Sequence, residues 1–345
     1  MRCLTLANAL RDKGAECRFV CREHPGNLID YLRRHGFDVV SLPITDSKVE
    51  SSETDTKQLA HARWLGSDWA TDAAQTKIGV GEKAADWLIV DHYALDDRWE
   101  NALRSIYRKL MAIDDLADRV HACDVLLDQN LVENVNTRYK DKVPEPCTCL
   151  IGPEYALLRP EFNALRLATL ARRETPELNR LLVFLGGSDE ENETSKVVDG
   201  IKQANRKWQH IDIVVGQCFP AIETLKRDMA DFTSATLHVQ TSDMALLMAA
   251  ADLAITAGGS VTWEKCTLGL PSLVVIQGYN QHPIATKMHE CGAQITLGLA
   301  SELTPAAYAH YLDSVQLDEL KFMTQSAAAI CDGSGISSVI EAIGT

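Results

Sequence analysis

Two glycine-rich segments of the sequence have the composition of anion-binding turns. The first, LLVFLGGSDEENET (181–194), is an apolar run that leads into Gly187 and Ser188 before a predicted helix. The second, LAITAGGSVTWEKCTLGLPSLVVIQ (253–277), places Gly259 and Ser260 in the same position. Glycine lets backbone N–H groups approach a phosphate closely, and a helix N-terminus favours negative charge. Each segment alone also fits a plain capped strand–helix turn, but two in one half of the chain favour a diphosphate site.

Glu264 follows Ser260 by four residues, which puts both side chains on one face of the predicted helix. A carboxylate there could accept hydrogen bonds from both hydroxyls of a ribose, or it could serve as a capping residue. Neither segment matches the GxGxxG or GxxxxGK[ST] pattern, which disfavours the usual dinucleotide and nucleoside-triphosphate sites.

Other polar residues follow predicted strands and are expected at the rim of a ligand-binding cleft. The motif GYNQHP (278–283) contributes Asn280 and Gln281, and DHY (91–93) contributes a histidine and Tyr93. His92 could be a general base or a structural group. The roles of the strand-end aspartates stay open between sugar contacts and structural hydrogen bonds; these are Asp91, Asp114 and Asp128. No metal is predicted, because none of these residues has a known ligand spacing.

The elements that would position these residues have an α/β pattern. Short apolar runs alternate with helical segments, as in folds with mainly parallel, buried strands. Strands are predicted at 17–21, 38–42, 87–91, 110–114, 125–128, 181–185, 211–215, 236–239, 253–256, 273–276 and 294–297. The chain of 345 residues is expected to form two Rossmann-like lobes at 1–150 and 179–345, with a proline-rich linker at 151–178. It opens on a helical stripe with no strand before it, so the first strand of lobe one is expected to be missing, unless the fold is a variant that begins with a helix.

Composition excludes several classes of protein. Hydrophobic residues make up 46% of the chain, which excludes a disordered or fibrous protein. The net charge of −14 disfavours nucleic acid and anionic membrane as partners. No apolar run is long enough to span a bilayer and no secretion signal is recognisable, so a cytoplasmic protein with reduced, mostly buried cysteines is predicted. No cofactor is predicted, and protein partners cannot be read from the sequence.

The ordered motifs resemble a known family over nearly the whole chain. The segments MRCLTLANALRDKG, WLIVDHYALDDRWE, GPEYALLRPEF, FLGGSD, AGGSVTWEKCTLGLPSL and GYNQ are similar to those of the PseG family, the UDP-sugar hydrolases of pseudaminic acid biosynthesis. That family shares a two-lobed glycosyltransferase-B architecture with the glycosyltransferase MurG. The resemblance implies hydrolysis of UDP-2,4-diacetamido-2,4,6-trideoxy-β-L-altropyranose to UDP and free sugar, by inverting attack of water at the anomeric carbon without a metal.

The resemblance also implies roles for individual residues. Glu264 would bind the ribose, and Tyr93 and Asn280 would lie near the reacting carbon and the attacking water. The residues implied in binding UDP or substrate are Arg159, Gly187, Ser188, Gly259, Ser260 and Gln281.

The family's proposed general base is a histidine in a glycine-containing loop that would lie upstream of Met1. From this we expect the chain as written to lack that base. The alternatives are a glycosyltransferase of the same architecture, a hydrolysing UDP-N-acetylglucosamine 2-epimerase, or a binder of UDP-sugars that does not turn them over.

Overall fold

The structure is a computed structural model that describes residues 1–45, 59–81, 83–187, 189–230 and 232–344. The chain divides into two compact α/β units. Unit 1 comprises Met1–Leu157 and Gly335–Thr345, and unit 2 comprises Leu158–Ser334. Every strand pairing in both units is parallel, as the alternating pattern predicted.

Unit 1 contains two parallel sheets. β1 (Arg18–Arg22) pairs with β2 (Asp38–Leu42), and a second sheet has the order β3-β4-β5-β6. Those four strands are β3 (Ala85–Val90), β4 (Tyr107–Ile113), β5 (Val125–Asp128) and β6 (Thr148–Ile151). The helices are α1 (Arg2–Asp12), α2 (Ile29–Arg34), α3 (Trp69–Val80), α4 (Asp97–Ala102) and, from the end of the chain, α13 (Gly335–Ile343).

The first helix contributes to two separate cores of unit 1. Leu6 and Leu10 of α1 pack with residues of the four-stranded sheet such as Met111. Leu4 lies in the core that includes Leu32 and Val39, beside the two-stranded sheet. The helical stripe at the start of the sequence is therefore a buried helix, as expected.

Unit 2 contains one six-stranded parallel sheet with the order β12-β11-β10-β7-β8-β9. Its strands are β7 (Arg180–Phe184), β8 (His210–Val215), β9 (Ala235–Val239), β10 (Leu253–Ala257), β11 (Ser272–Ile276) and β12 (Ile295–Leu299). Its helices are α5 (Pro160–Arg173), α6 (Glu193–Gln203), α7 (Ile222–Asp228), α8 (Met244–Ala250), α9 (Val261–Thr267), α10 (His282–Glu290), α11 (Pro305–Ser314) and α12 (Leu317–Ile330).

The strand order of unit 2 reverses between β7 and β10. From β7 the chain adds β8 and β9 on one side, then returns to place β10, β11 and β12 on the other. Alternate residues of β7 face two different cores: Leu181 and Val183 lie in one, and Leu182 lies in the other. The sheet is thus covered on both faces, and its topological switch point lies between β7 and β10.

The units differ from the expected domains in two places. Helix α5 occupies residues 160–173, inside the span expected to be a linker. Proline is favoured in the first turn of a helix, so Pro160 begins this helix rather than excluding one. At the other end of the chain, Val339 and Ile340 of α13 pack into a core of unit 1, although the expected boundary assigned them to the second lobe. In the described part of the chain, no helix combines the length and the apolarity needed to cross a bilayer.

Candidate functional site

The first glycine turn follows β7 directly. Gly186 has a φ of 103°, a conformation that favours glycine, and a Cβ added at Gly187 would meet nothing within 4 Å. Ser188 lies outside the described residues. Asp189 then caps α6, accepting a hydrogen bond from the backbone N–H of Thr194 at 2.8 Å. The turn is therefore fixed by its capping aspartate while its glycine faces open space.

The back of this turn is closely packed. A Cβ on Gly216, which follows β8, would overlap the carbonyl oxygen of Gly187. Glycine at 216 therefore permits a backbone-to-backbone approach that holds the first turn in place.

The second glycine turn follows β10, the neighbour of β7 in the sheet. A Cβ at Gly259 would also meet nothing within 4 Å, and Ser260 is exposed at the start of α9. In the described part of the chain, the backbone N–H groups of Gly259 and Ser260 have no acceptor. The two turns thus follow the two strands that flank the switch point, where ligands of open α/β sheets bind.

The loop after β11 connects the two turns. The side-chain amide of Gln277 donates to Asp189 in the first turn at 3.1 Å. The backbone N–H of Gln277 donates to Oε1 of Gln281 at 3.0 Å, and the Cβ of Gln281 lies 3.4 Å from the position of a Cβ on Gly258. Among the described residues, the side-chain amide nitrogen of Gln281 has no hydrogen-bond acceptor. Asn280 is exposed in the short 3-10 helix Tyr279–Gln281 of this loop.

Glu264 is half-buried one turn into α9. Burial raises the pKa of its carboxyl to about 7, while the positive charge of Arg159 lowers it and Glu161 raises it. Arg159 itself forms an ion pair with Glu161 at 2.9 Å and donates to the carbonyl of Ser242 at 3.2 Å. This places a guanidinium and a carboxyl with a raised pKa in one electrostatic environment.

Tyr93 belongs to unit 1, unlike the residues above, and lies in the loop after β3. Burial and a hydrogen bond to Asp115 raise the pKa of its phenol above the ordinary value, so the hydroxyl stays protonated and donates to that carboxylate. Its ring centroid lies 5.6 Å from that of His61 and 6.0 Å from that of Trp64. Neither aromatic neighbour was identified from the sequence.

The aspartate of the DHY motif is committed to an ion pair. Arg2 contacts Asp91 at 2.7 Å and Asp115 at 3.4 Å, and the thiol of Cys3 donates to Asp91 at 3.2 Å. Burial alone would raise the pKa of Asp91, but the Arg2 guanidinium outweighs it and the pKa lies below its ordinary value.

His92 has the geometry of a structural histidine. Its Nδ1 accepts a hydrogen bond from the backbone N–H of Ala94 at 3.0 Å, and burial lowers the pKa of its ring. The neutral ring then carries its proton on Nε2 and has no free lone pair, so it is poorly suited to act as a general base.

The other two strand-end aspartates are also structural in their contacts. Both are fully buried, and the hydroxyl of Tyr139 lies 3.1 Å from each carboxylate. Arg119 pairs with Asp114 at 2.8 Å, and Arg138 pairs with Asp128 at 2.6 Å. Their hydrogen-bonding capacity is used inside the protein, which decides against sugar contacts for these two residues.

The cysteines were considered both as thiols and as possible metal ligands. Only three of the ten cysteines are buried, so the expectation of mostly buried thiols is wrong, and three are exposed: Cys149, Cys218 and Cys291. Among the described residues, no three histidine, cysteine, aspartate or glutamate side chains are arranged to hold a metal ion.

The structure therefore gathers most of the expected site residues in unit 2, around the two turns and the loop after β11. Sequence reasoning considered Asp189 only as a possible helix cap and missed Gln277, which ties this loop to that aspartate in the first turn. A signal existed for the aspartate, because it precedes a predicted helix as a capping residue would. No signal existed for Gln277, whose partner is 88 residues away.

Comparison with known proteins agrees with this geometry. Residues 181–341 match the glycosyltransferase family 28 C-terminal domain. The spore coat polysaccharide biosynthesis protein SpsG of Bacillus subtilis (strain 168) is 35% identical over 155 residues, which are 45% of this chain and 44% of that protein. The aligned part spans less than half the length of the curated relatives that the chain matches.

Solved structures show the same fold over the whole chain. MurG of Acinetobacter baumannii superposes with a TM-score of 0.63 at 15% identity, covering 99% of this chain and 94% of that one. Arabidopsis thaliana UGT89C1 complexed with UDP superposes with a TM-score of 0.65 at 14% identity, covering 99% and 96%. The chain thus has the two-domain α/β fold of GT-B enzymes, and its residues 181–341 are similar to the glycosyltransferase family 28 C-terminal domain.

Proposed function

We propose that unit 2 binds a UDP-sugar and that the protein cleaves the bond between the sugar and the diphosphate. The observation that carries this proposal is the pair of open glycine turns after β7 and β10, the two strands that flank the switch point. Backbone N–H groups at Gly187, Gly259 and Ser260 can bind a diphosphate without any net positive charge on the protein. A related fold crystallised with UDP is consistent with that ligand.

Glu264 is the proposed ribose ligand. An ionised carboxylate accepts two hydrogen bonds from a diol, and ribose hydroxyls that donate to it would stabilise its ionised form. Arg159, close enough to Glu264 to lower its pKa, has donors left for phosphate or sugar. The free amide nitrogen of Gln281 supplies a further donor beside the second turn.

The proposed reaction is hydrolysis, supported by the resemblance to the PseG family. Water forms a bond to the anomeric carbon while the bond from that carbon to the phosphate oxygen breaks, giving UDP, the free sugar with inverted configuration and a proton. Tyr93, whose single hydroxyl proton is donated to Asp115, would accept a hydrogen bond from the sugar or the water, and Asn280 would orient either of them. The proposed substrate is the UDP-linked diacetamido-trideoxy sugar of pseudaminic acid biosynthesis.

A glycosyltransferase reaction is the second candidate, favoured by the match to the family 28 C-terminal domain. Its nucleotide site would be the same, and only the nucleophile would differ: an acceptor hydroxyl in place of water. The residues of unit 2 therefore serve both reactions equally.

Product analysis in oxygen-18 water distinguishes the two candidates. The protein is incubated with the UDP-diacetamido-trideoxy sugar and no acceptor, with Glu264→Ala as the control for the nucleotide site. Hydrolysis gives UDP and a free sugar that carries the heavy oxygen at its anomeric hydroxyl. Intact substrate after long incubation, together with calorimetric binding of UDP, would reject hydrolysis and leave a transferase or a binder without turnover.

A further inference from the structure

A buried lysine lies behind the second glycine turn. Lys265 follows Glu264 in α9 and is only 2% exposed. Its Nζ donates to the hydroxyl of Thr256 at 2.9 Å and to the side-chain carbonyl of Gln294 at 3.5 Å. Both partners are neutral, and no carboxylate of the described chain lies within ion-pair distance of the ammonium.

A buried ammonium group without a paired carboxylate is energetically unfavourable. An ammonium group loses its hydration on burial, and neutral hydrogen bonds replace only part of it. Burial lowers the pKa of Lys265 to about 8, so the group is still mostly protonated at neutral pH. The buried cation Arg119 of unit 1, by contrast, has a carboxylate of Asp114 at 2.8 Å. The structure of unit 2 lacks the corresponding anion.

The position of the ammonium relates it to both turns. Thr256 lies on β10, two residues before Gly258 of the second turn. Its partner on β7 is Phe184, which lies two residues before Gly186 of the first turn. At about 3.3 Å per strand residue, the second turn lies roughly 7–10 Å from Thr256. Over that distance, a charge in the poorly solvated interior acts on another charge more strongly than it would through water.

We infer that Lys265 is a buried counter-charge for the diphosphate of the nucleotide and makes the site select nucleoside diphosphates over uncharged nucleosides. This inference rests on the proposed binding of UDP by unit 2. Lys265 contacts no substrate atom in this account; it acts through the electrostatic potential at the two turns. The diphosphate of the ligand would then supply the negative charge that no carboxylate of the described residues provides to Lys265.

Substitution of Lys265 by methionine tests the inference, because the change removes the charge and keeps the length of the side chain. Calorimetry is carried out with UDP, UMP and uridine at neutral pH. We expect Lys265→Met to weaken the affinity for UDP on the order of ten-fold, to weaken the affinity for UMP less, and to leave the affinity for uridine unchanged. The melting temperature without ligand should stay equal or rise, because a buried unpaired charge is removed.

Two controls separate charge from packing. Lys226→Met removes an exposed lysine of α7 that pairs with Glu223 at 2.7 Å, and it should leave all three affinities unchanged. Lys265→Gln removes the charge but keeps a hydrogen-bond donor for Thr256. The same measurements are made on this variant if the methionine variant does not fold.

Specific outcomes overturn the inference. Equal weakening of UDP and uridine, or a lowered melting temperature with unchanged discrimination between them, would show that Lys265 is only a packing residue. Unchanged UDP affinity in both variants would reject the counter-charge while leaving UDP binding intact. Failure of the wild-type protein to bind UDP would instead reject the proposed function itself.

Discussion

Polar residues stand at the carboxyl ends of parallel strands in both units, but the two units use them differently. In unit 1, Asp114 and Asp128 are fully buried and bond to Arg119, Arg138 and a shared tyrosine. In unit 2, the corresponding strand ends carry glycines, and a Cβ added at Gly187 or Gly259 would meet nothing within 4 Å. One strand-end cluster is closed by the protein itself, and the other is left open for a ligand.

The contrast separates a stabilising cluster in one sheet from the proposed binding site at the same place in the other sheet. A buried carboxylate with all its lone pairs used contributes to stability and cannot accept a ligand. A glycine turn contributes little packing but leaves donors unused. Substitutions in the two regions should therefore change different measured quantities.

The largest expected effect is on the stability of unit 1. Asp114→Ala removes the fully buried carboxylate partner of Arg119 and leaves this guanidinium only the more exposed Asp118, at 2.9 Å, so it should lower the free energy of unfolding by about 3 kcal/mol. Urea denaturation followed by circular dichroism measures this loss. The affinity of unit 2 for UDP should not change under conditions where the variant is folded.

A matched exposed pair serves as the control for this substitution. Arg108 and Asp86 lie 3.2 Å apart, and their side chains are 75% and 83% exposed. Asp86→Ala should cost less than about 1 kcal/mol. A similar cost for both aspartates would contradict the view that the unit 1 cluster is structural.

The next effect concerns ligand binding in unit 2. Glu264→Ala should weaken UDP by about 1–3 kcal/mol, because the ribose hydroxyls lose a charge-assisted acceptor. Titration calorimetry measures the dissociation constant, and 2′-deoxy-UDP should lose less affinity on the same substitution. An unchanged constant would remove Glu264 from the site.

A smaller effect is expected at the second turn. Gly259→Ala adds a methyl group to a space that is empty in the protein and would be occupied by phosphate, so UDP should weaken by about 1–2 kcal/mol. The free energy of unfolding should change by no more than about 0.5 kcal/mol.

Gly216→Ala is the informative counterpart to that substitution. Its new methyl group would overlap the backbone of Gly187, so this variant should lose stability as well as UDP affinity. If Gly259→Ala also proved strongly destabilising, the second turn would be a packed structure rather than an open one.

The smallest effect is a pH dependence. The pKa of Glu264 is raised from 4.5 to about 7, so the ionised fraction of its carboxyl increases between pH 6 and 8. The affinity for UDP should therefore rise a few-fold over that range. Without ligand the sign is opposite: the stability that the protonated form confers is present below pH 4.5 and is lost as the pH rises through 7. Glu264→Gln should abolish that part of the affinity profile and raise the melting temperature at pH 8 relative to the wild type, but not at pH 4.

Much of the fold was predictable because buried parallel strands are continuous apolar runs. Each predicted strand coincides, within a few residues, with an observed one, and β6 (Thr148–Ile151) was missed. Its four residues are polar at the start and lie next to Pro144 and Pro146, which favoured a linker there. For the same reason helix α5 was not predicted: the prolines of this region suggested a linker, but Pro160 occupies the first position of the helix.

The candidate site was only partly predictable. The glycine turns and Glu264 can be recognised from their local spacing in the sequence. That the strands before the two turns are neighbours is evident only from the folded sheet. Sequence reasoning left the roles of Asp91, Asp114 and Asp128 equally open, but in the structure each forms an ion pair with an arginine: Arg2, Arg119 and Arg138 respectively. Those partners lie between 5 and 89 residues away in the chain, so their spacing carried no readable signal.

By itself, the sequence determined which segments form strands and helices and where glycine widens the range of backbone conformations. Both features depend on hydrophobic periodicity and on local sterics. The tertiary structure decided which strand ends are neighbours, which carboxylates are neutralised, and that a lysine is buried without an anion. These depend on desolvation and on charges that meet only when distant segments pack, and no local pattern of residues encodes either.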